Sequence, residues 1–78
     1  MKEFKVYTTA YCPYCVRAKE LLKSKNIEFE EINLEGKDDE RVALMKKTGM
    51  RTVPQIFKGE ELIGGYTELA EMDKKGLI

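Results

Sequence analysis

Hydrophobic and polar positions along this chain change period several times, and the changes mark out its elements. Glu3-Phe4-Lys5-Val6-Tyr7-Thr8 alternates polar and apolar residues, the period-two signature of a half-buried strand. From Pro13 to Lys25 the period becomes helical, with Cys15, Ala18 and Leu22 stacked on one face. Proline suits the first helical position, because its missing N–H would have had no intrahelical partner. Asn26 fits a left-handed stop. Ile27 to Asn33 reads as a second strand of imperfect parity. Ile27 and Phe29 share one face and Ile32 and Leu34 the other, which fits either a strand covered on both sides or a bulge near Glu30-Glu31. Strand, helix and strand within about thirty residues form a βαβ unit, whose strands run parallel through a right-handed crossover.

Gly36-Lys37 opens the next turn, and a helix is predicted from about Asp39 to Thr48. Acids at its start (Asp38, Asp39, Glu40) and lysines at its end (Lys46, Lys47) complement the helix dipole. Val42 and Met45, with Leu44 beside them, supply its predicted buried stripe, and Gly49 its stop. Gln55-Ile56-Phe57-Lys58 and Glu61-Leu62-Ile63 flank Gly59 as a hairpin. Gly64-Gly65 leads into a closing helix from about Thr67 to Lys75, with Leu69 and Met72 as its apolar contacts. The expected architecture is α/β, in the order β-α-β-α-β-β-α: a four-stranded mixed sheet with helices on both faces.

Length and charge narrow the function. At 78 residues, with no linker, repeat or low-complexity stretch, one domain over residues 1–78 is expected, with a limited core. Fourteen basic residues balance fourteen acidic ones and no segment is strongly basic, which argues against nucleic acid as a partner. Met1-Lys2-Glu3 passes directly into a strand, and no apolar run suits a signal peptide or a membrane span. A soluble cytoplasmic protein is the expectation, and a cytosolic cysteine pair is more often catalytic than structural.

The chemistry concentrates in Cys12-Pro13-Tyr14-Cys15, which holds the only two thiols. With Pro13 opening the helix, Cys12 becomes the cap residue, where its sulfur meets the free N–H groups of Tyr14 and Cys15 and the positive end of the dipole. Both effects favour the thiolate, so Cys12 is expected to have a lowered pKa and to be the attacking group. Three readings of the pair remain open: a redox dithiol, a structural staple, or half of a metal site. A staple closing so short a loop would add only about 2 kcal/mol and would explain neither cap nor proline. Zinc wants about four ligands, and the chain has no histidine and no third cysteine. The missing histidine also argues against a Cys–His hydrolase, which needs an imidazole base. Gly64-Gly65 likewise has two readings: a close-approach site for an anion at a helix start, or a strand end followed by a helix capped by Thr67.

Three segments in order, Cys12-Pro13-Tyr14-Cys15 after strand one, Thr52-Val53-Pro54 before strand three and Gly64-Gly65 before the last helix, make the chain resemble a glutaredoxin on the thioredoxin fold. The resemblance runs from Lys5 to about Gly76. It implies a dithiol, Cys12 as nucleophile and Cys15 as resolving thiol, that reduces protein disulfides and glutathione mixed disulfides. It implies glutathione as co-substrate with no tightly bound cofactor and no metal, and a monomer whose partners are glutathione and disulfide-containing or glutathionylated proteins. By correspondence Tyr14 lines the groove, Thr52 and Val53 hold the cysteinyl part, and Gly65, Tyr66 and Thr67 hold the γ-glutamyl carboxylate. The Val53–Pro54 bond is cis by the same correspondence, whereas the residues alone would favour a proline that merely starts an edge strand.

Two positions depart from the family pattern. Thr9 stands where many members carry a lysine, and Thr67-Glu68 where many carry an acid pair. Arg51 offers a replacement charge or is simply a solvated loop residue. These departures keep a second reading open, a glutaredoxin-like donor, for example to ribonucleotide reductase, that is itself reduced by a thioredoxin-reductase-type flavoprotein. A third reading is a glutathione-assisted iron–sulfur dimer, which Pro13 and Tyr14 fit poorly. Tyr11, Arg17 and Arg51 are the surface residues expected to influence the choice of partner.

Overall fold

The computed structural model describes residues 3–10 and 12–78. Strands β1 (Phe4–Thr8), β2 (Phe29–Asn33), β3 (Gln55–Lys58) and β4 (Glu61–Gly64) alternate with helices α1 (Pro13–Ser24), α2 (Asp38–Thr48) and α3 (Tyr66–Lys74) in the expected order. The sheet order is β2-β1-β3-β4. Strand β1 pairs parallel with β2, as the βαβ connection requires, and antiparallel with β3, which pairs antiparallel with β4. A mixed four-stranded sheet with helices on both faces is therefore observed, and it is the thioredoxin-type architecture.

The two faces bury different sets of side chains. Phe4, Val6, Ala18, Leu22, Ile56 and Leu69 form one cluster, which seats α1 and α3 on the same face. Leu34, Leu44 and Phe57 form the other, beneath α2. Strand β2 contributes to both, through Phe29 on the first face and Ile32 on the second. Its pairing with β1 runs without a shift from Phe4↔Phe29 to Thr8↔Asn33. The odd parity thus reflects a strand covered on both sides, and the bulge alternative near Glu30-Glu31 is not what occurs. A register shift does occur, but in the hairpin, between Ile56 and Phe57.

The ends of the helices follow their local chemistry. Asn26 (φ 58°) and Gly49 (φ 75°) take up left-handed conformations after α1 and α2. An ion pair between Lys25 and Asp73 ties the end of α1 to α3. One of the contacts expected of α2, Val42, is not made. Leu44 is the buried residue of α2, whereas Val42 is 50% exposed. The inward face is Arg41, Leu44, Met45 and Thr48, at helical spacing. No helix is long and apolar enough to cross a membrane among the described residues.

Candidate active site

Strand β1 ends at Thr8, and α1 begins with Pro13 at its first helical position. Cys12 is the N-cap in extended conformation (φ −112°, ψ 100°), and its sulfur accepts a hydrogen bond from the Cys15 N–H at 3.2 Å. The donor is Cys15 alone; Tyr14, expected to share this role, takes no part. The two cysteines are joined as a disulfide. Cys15 is 2% exposed and faces the core with Ala18 and Leu22, whereas Cys12 is half-buried at the surface. Cys12 is thus the more accessible of the two.

The second wall of the site is the segment Thr52-Val53-Pro54, whose Val53–Pro54 peptide is cis, as the resemblance implied. The Val53 carbonyl oxygen lies 3.6 Å from Cys12 Sγ, a contact that becomes a hydrogen bond when the reduced sulfur carries a proton. Gln55, a residue the sequence reading passed over, holds this segment in place. Its side chain is 1% exposed. Its amide donates to the carbonyls of Met50 (3.0 Å) and Thr52 (3.1 Å), and its Oε1 accepts from the Thr48 hydroxyl at 2.9 Å. A buried amide with its donors and acceptor all used ties the loop after α2 to the first residue of β3. A polar residue opening an otherwise apolar strand, Gln55-Ile56-Phe57, was the available signal.

Between these walls and the start of α3 lies a groove of about 350 Å³. Tyr14, Thr52, Val53, Pro54, Gly65, Tyr66 and Thr67 all line it, together with Met50 and Glu68, which the sequence reading had not placed there. The Tyr14 and Tyr66 rings stand 6.2 Å apart, and the Arg17 guanidinium sits 5.4 Å from the Tyr14 ring centroid. Helix α3 begins earlier than expected. Its cap is Gly65, so Thr67 lies inside the helix and does not cap it. The Glu68 carboxylate reaches back to accept from the Gly65 N–H at 2.6 Å. Gly64 ends β4 at φ +127°, and a Cβ there would stand 2.6 Å from that same carboxylate oxygen. Its glycine is thus explained by strand end and close approach, while Gly65 both caps the helix and lines the groove. Thr9 lies away from this groove, Arg51 is exposed and does not line it, and Tyr11 is outside the described residues.

On the β2 side of the cysteines is a second, shallower depression of about 530 Å³. Both sulfur-bearing residues line it, with Thr9, Ala10, Pro13, Val16, Lys19, Glu31 and Asn33. The Glu31 carboxylate pairs with Lys19 Nζ at 3.1 Å and accepts from the Thr8 hydroxyl at 2.9 Å. Partial burial pushes its pKa up, but the hydrogen bonds from Lys19 and Thr8 and the charges of Lys19 and Lys23 outweigh this and hold it below 4.5. A depressed folded-state pKa stabilises the fold above the unfolded value and ceases to do so as pH falls through the folded value. Glu31→Gln is therefore expected to lower the melting temperature modestly at neutral pH, because the pair is partly solvated. The gap to the unmodified protein should close as the pH drops below 4.5, in thermal melts run across the acid range. Among the described residues no group of three or more histidine, cysteine, aspartate or glutamate side chains is placed to hold a metal ion.

Comparison with known proteins gives a consistent result. The glutaredoxin family model matches residues 4–63. A glutaredoxin from Pseudomonas aeruginosa is 48% identical over 73 residues, covering 94% of this chain and 87% of the relative. Glutaredoxin 3 from Escherichia coli is 42% identical over 76 residues, covering 97% and 92%. Among solved structures, a buckwheat glutaredoxin–glutathione complex superposes with a TM-score of 0.87 at 35% identity, covering 95% of this chain and 70% of that one.

Proposed function

The chain belongs to the glutaredoxin family of thiol–disulfide oxidoreductases, and from that premise we propose that it reduces protein disulfides and glutathione mixed disulfides at the expense of glutathione. The observation that carries this reading is the position of Cys12 Sγ. It is capped by the Cys15 N–H at 3.2 Å, lies 3.6 Å from the Val53 carbonyl, and sits beside a groove formed by every residue expected to contact glutathione. The glutathione complex of the buckwheat relative supports the same assignment.

In the reduced protein the Cys12 thiolate attacks a substrate disulfide, forming a mixed disulfide and releasing one thiol. With a protein disulfide, Cys15 then attacks Cys12, frees the second substrate thiol and closes the Cys12–Cys15 bond; two glutathione molecules reopen it and leave as glutathione disulfide. With a glutathionylated substrate, one further glutathione attacks the Cys12 mixed disulfide directly. Tyr14 and Pro54 line the groove, Thr52 and Val53 hold the cysteinyl part, and Gly65, Tyr66 and Thr67 offer the N-terminal amides of α3 to the γ-glutamyl carboxylate. A dithiol enzyme of this kind works in the reducing cytoplasm.

One observation favours a second reading, in which a thioredoxin-reductase-type flavoprotein is the electron donor. Among the described residues no lysine or arginine lines the groove, so glutathione's carboxylates would meet amides and no cation there. A single experiment separates the two. Reduction of a small glutathione mixed disulfide is followed with glutathione and glutathione reductase in one arm and thioredoxin reductase in the other. Turnover in the first arm is expected; turnover confined to the second would replace glutathione as the reductant.

A further inference from the structure

Between α2 and β3 the chain has no regular secondary structure from Gly49 to Pro54, yet this loop supplies Met50, Thr52, Val53 and Pro54 to the groove. We propose that Thr48, the last residue of α2, is a positioning residue for the substrate: its hydroxyl closes the base of the loop and so holds one wall of the groove in place. The inference rests on the glutathione reading given above and extends it to a residue that does not itself line the groove.

A backbone outside helix and strand must find other partners for its N–H and C=O groups, and those partners fix its path. For Met50 and Thr52 they are two side chains, one at each end of the loop. Thr48 Oγ1 accepts from the Met50 N–H at 3.1 Å. Gln55, the first residue of β3, donates to the Met50 and Thr52 carbonyls. Met50 is thereby held on both sides, its N–H by the end of the helix and its C=O by the start of the strand. The two anchors also meet each other: the Thr48 hydroxyl and Gln55 Oε1, seven positions apart in the chain, lie at 2.9 Å. The single hydroxyl proton has a second acceptor in the Leu44 carbonyl at 3.1 Å. Donation to either one leaves an oxygen lone pair for the Met50 N–H.

The helix itself is ended by its neighbour. Gly49 takes up the left-handed conformation (φ 75°) and its N–H bonds back to the Met45 carbonyl at 2.8 Å. The stop is therefore supplied by Gly49, and the Thr48 hydroxyl is left to act on the loop. Without that hydroxyl the Met50 N–H and Gln55 Oε1 lose a shared partner, and the base of the loop opens. A looser wall weakens contacts made equally to the bound substrate and to the transition state. A loss of that kind raises KM and spares kcat.

The test compares the unmodified protein with Thr48→Val, which keeps the shape of the side chain without the hydroxyl, and Thr48→Ser, which keeps the hydroxyl. KM and kcat are measured on the mixed disulfide of cysteine and glutathione in the glutathione-reductase-coupled assay. Thr48→Val is expected to raise KM roughly threefold to tenfold, the range set by losing one hydrogen bond. Its kcat should stay within about twofold, the pattern of lost uniform binding. Thr48→Ser should stay within about twofold in both, because the hydrogen bonds survive. Thr48→Ala, a strong helix former that also lacks the hydroxyl, gives the same comparison should the valine variant not fold. Hydrogen exchange adds a reading that needs no variant: the Met50 amide of the unmodified protein should exchange at least about tenfold more slowly than an unstructured amide. An unchanged KM without the hydroxyl, a fall in kcat with no rise in KM, a serine variant as impaired as the valine one, or an unprotected Met50 amide would each overturn the inference. Failure of the unmodified protein to turn over the mixed disulfide is a separate result, and it would bring down the glutathione reading itself.

Discussion

Cys12→Ser is expected to abolish reduction of both glutathione mixed disulfides and protein disulfides, whereas Cys15→Ser should abolish only the second. The asymmetry follows from placement. Cys12 caps α1, where an N–H and the helix dipole favour a thiolate, and its sulfur lies 3.6 Å from the carbonyl of Val53, which lines the groove. Cys15 is buried at the third position of the helix and can act only on the Cys12 sulfur, once that sulfur carries a substrate. Serine keeps the cap but its hydroxyl stays protonated at neutral pH, so no nucleophile remains. Coupled assays on the two substrate classes read out the split. Thiolate absorbance of the Cys15→Ser protein should show its single sulfur ionising below about 8.5, the free-cysteine value. Retained activity in Cys12→Ser would reverse the assignment.

Gln55→Leu should damage the protein almost as much, through the loop and not through the sulfur. Leucine fits the volume of a 1% exposed site but offers nothing to the Met50 and Thr52 carbonyls or the Thr48 hydroxyl. The Thr48 hydroxyl keeps its bond to the Leu44 carbonyl, and the two carbonyls left without a partner cost about 1–3 kcal/mol each, so a total loss of about 2–6 kcal/mol is expected in denaturant titrations. The same change frees the wall formed by Thr52, Val53 and Pro54. KM for glutathione mixed disulfides should therefore rise, while ionisation of Cys12, which depends on α1, stays unchanged. A variant that lost stability but kept its KM would show that Gln55 supports the fold without positioning the groove. Gln55→Glu gives a further check, because at neutral pH it sets a carboxylate against two carbonyl oxygens. Its deficit relative to the unmodified protein should shrink as the pH is lowered and the carboxyl takes up a proton.

What could be read from residues alone was what short-range physics decides. Pro13 and the residue before it specify where α1 begins and which cysteine caps it. Asn26 and Gly49 specify where α1 and α2 stop, and the alternation of Phe4, Val6 and Thr8 specifies which side of β1 faces inward. Each depends on neighbours within a turn or a strand. The residues bordering the groove were also legible, but through family correspondence, since Tyr14, Pro54 and Tyr66 are far apart in the chain.

Other features belong to the tertiary structure. Val42, Ala43, Leu44 and Met45 are consecutive, so nothing local said which of them faces Phe57; packing on the sheet chose Leu44 and left Val42 in solvent. The two-sided burial of β2 exists only because α1 and α2 cover opposite faces of the sheet. Gln55 gains its role from partners in a loop that folds back on it, and Gly64 from a carboxylate one helical turn ahead. Local sequence determined where elements begin, end and carry the reactive sulfur. Long-range packing decided which side chains meet across the groove, because those contacts join segments that no local preference brings together.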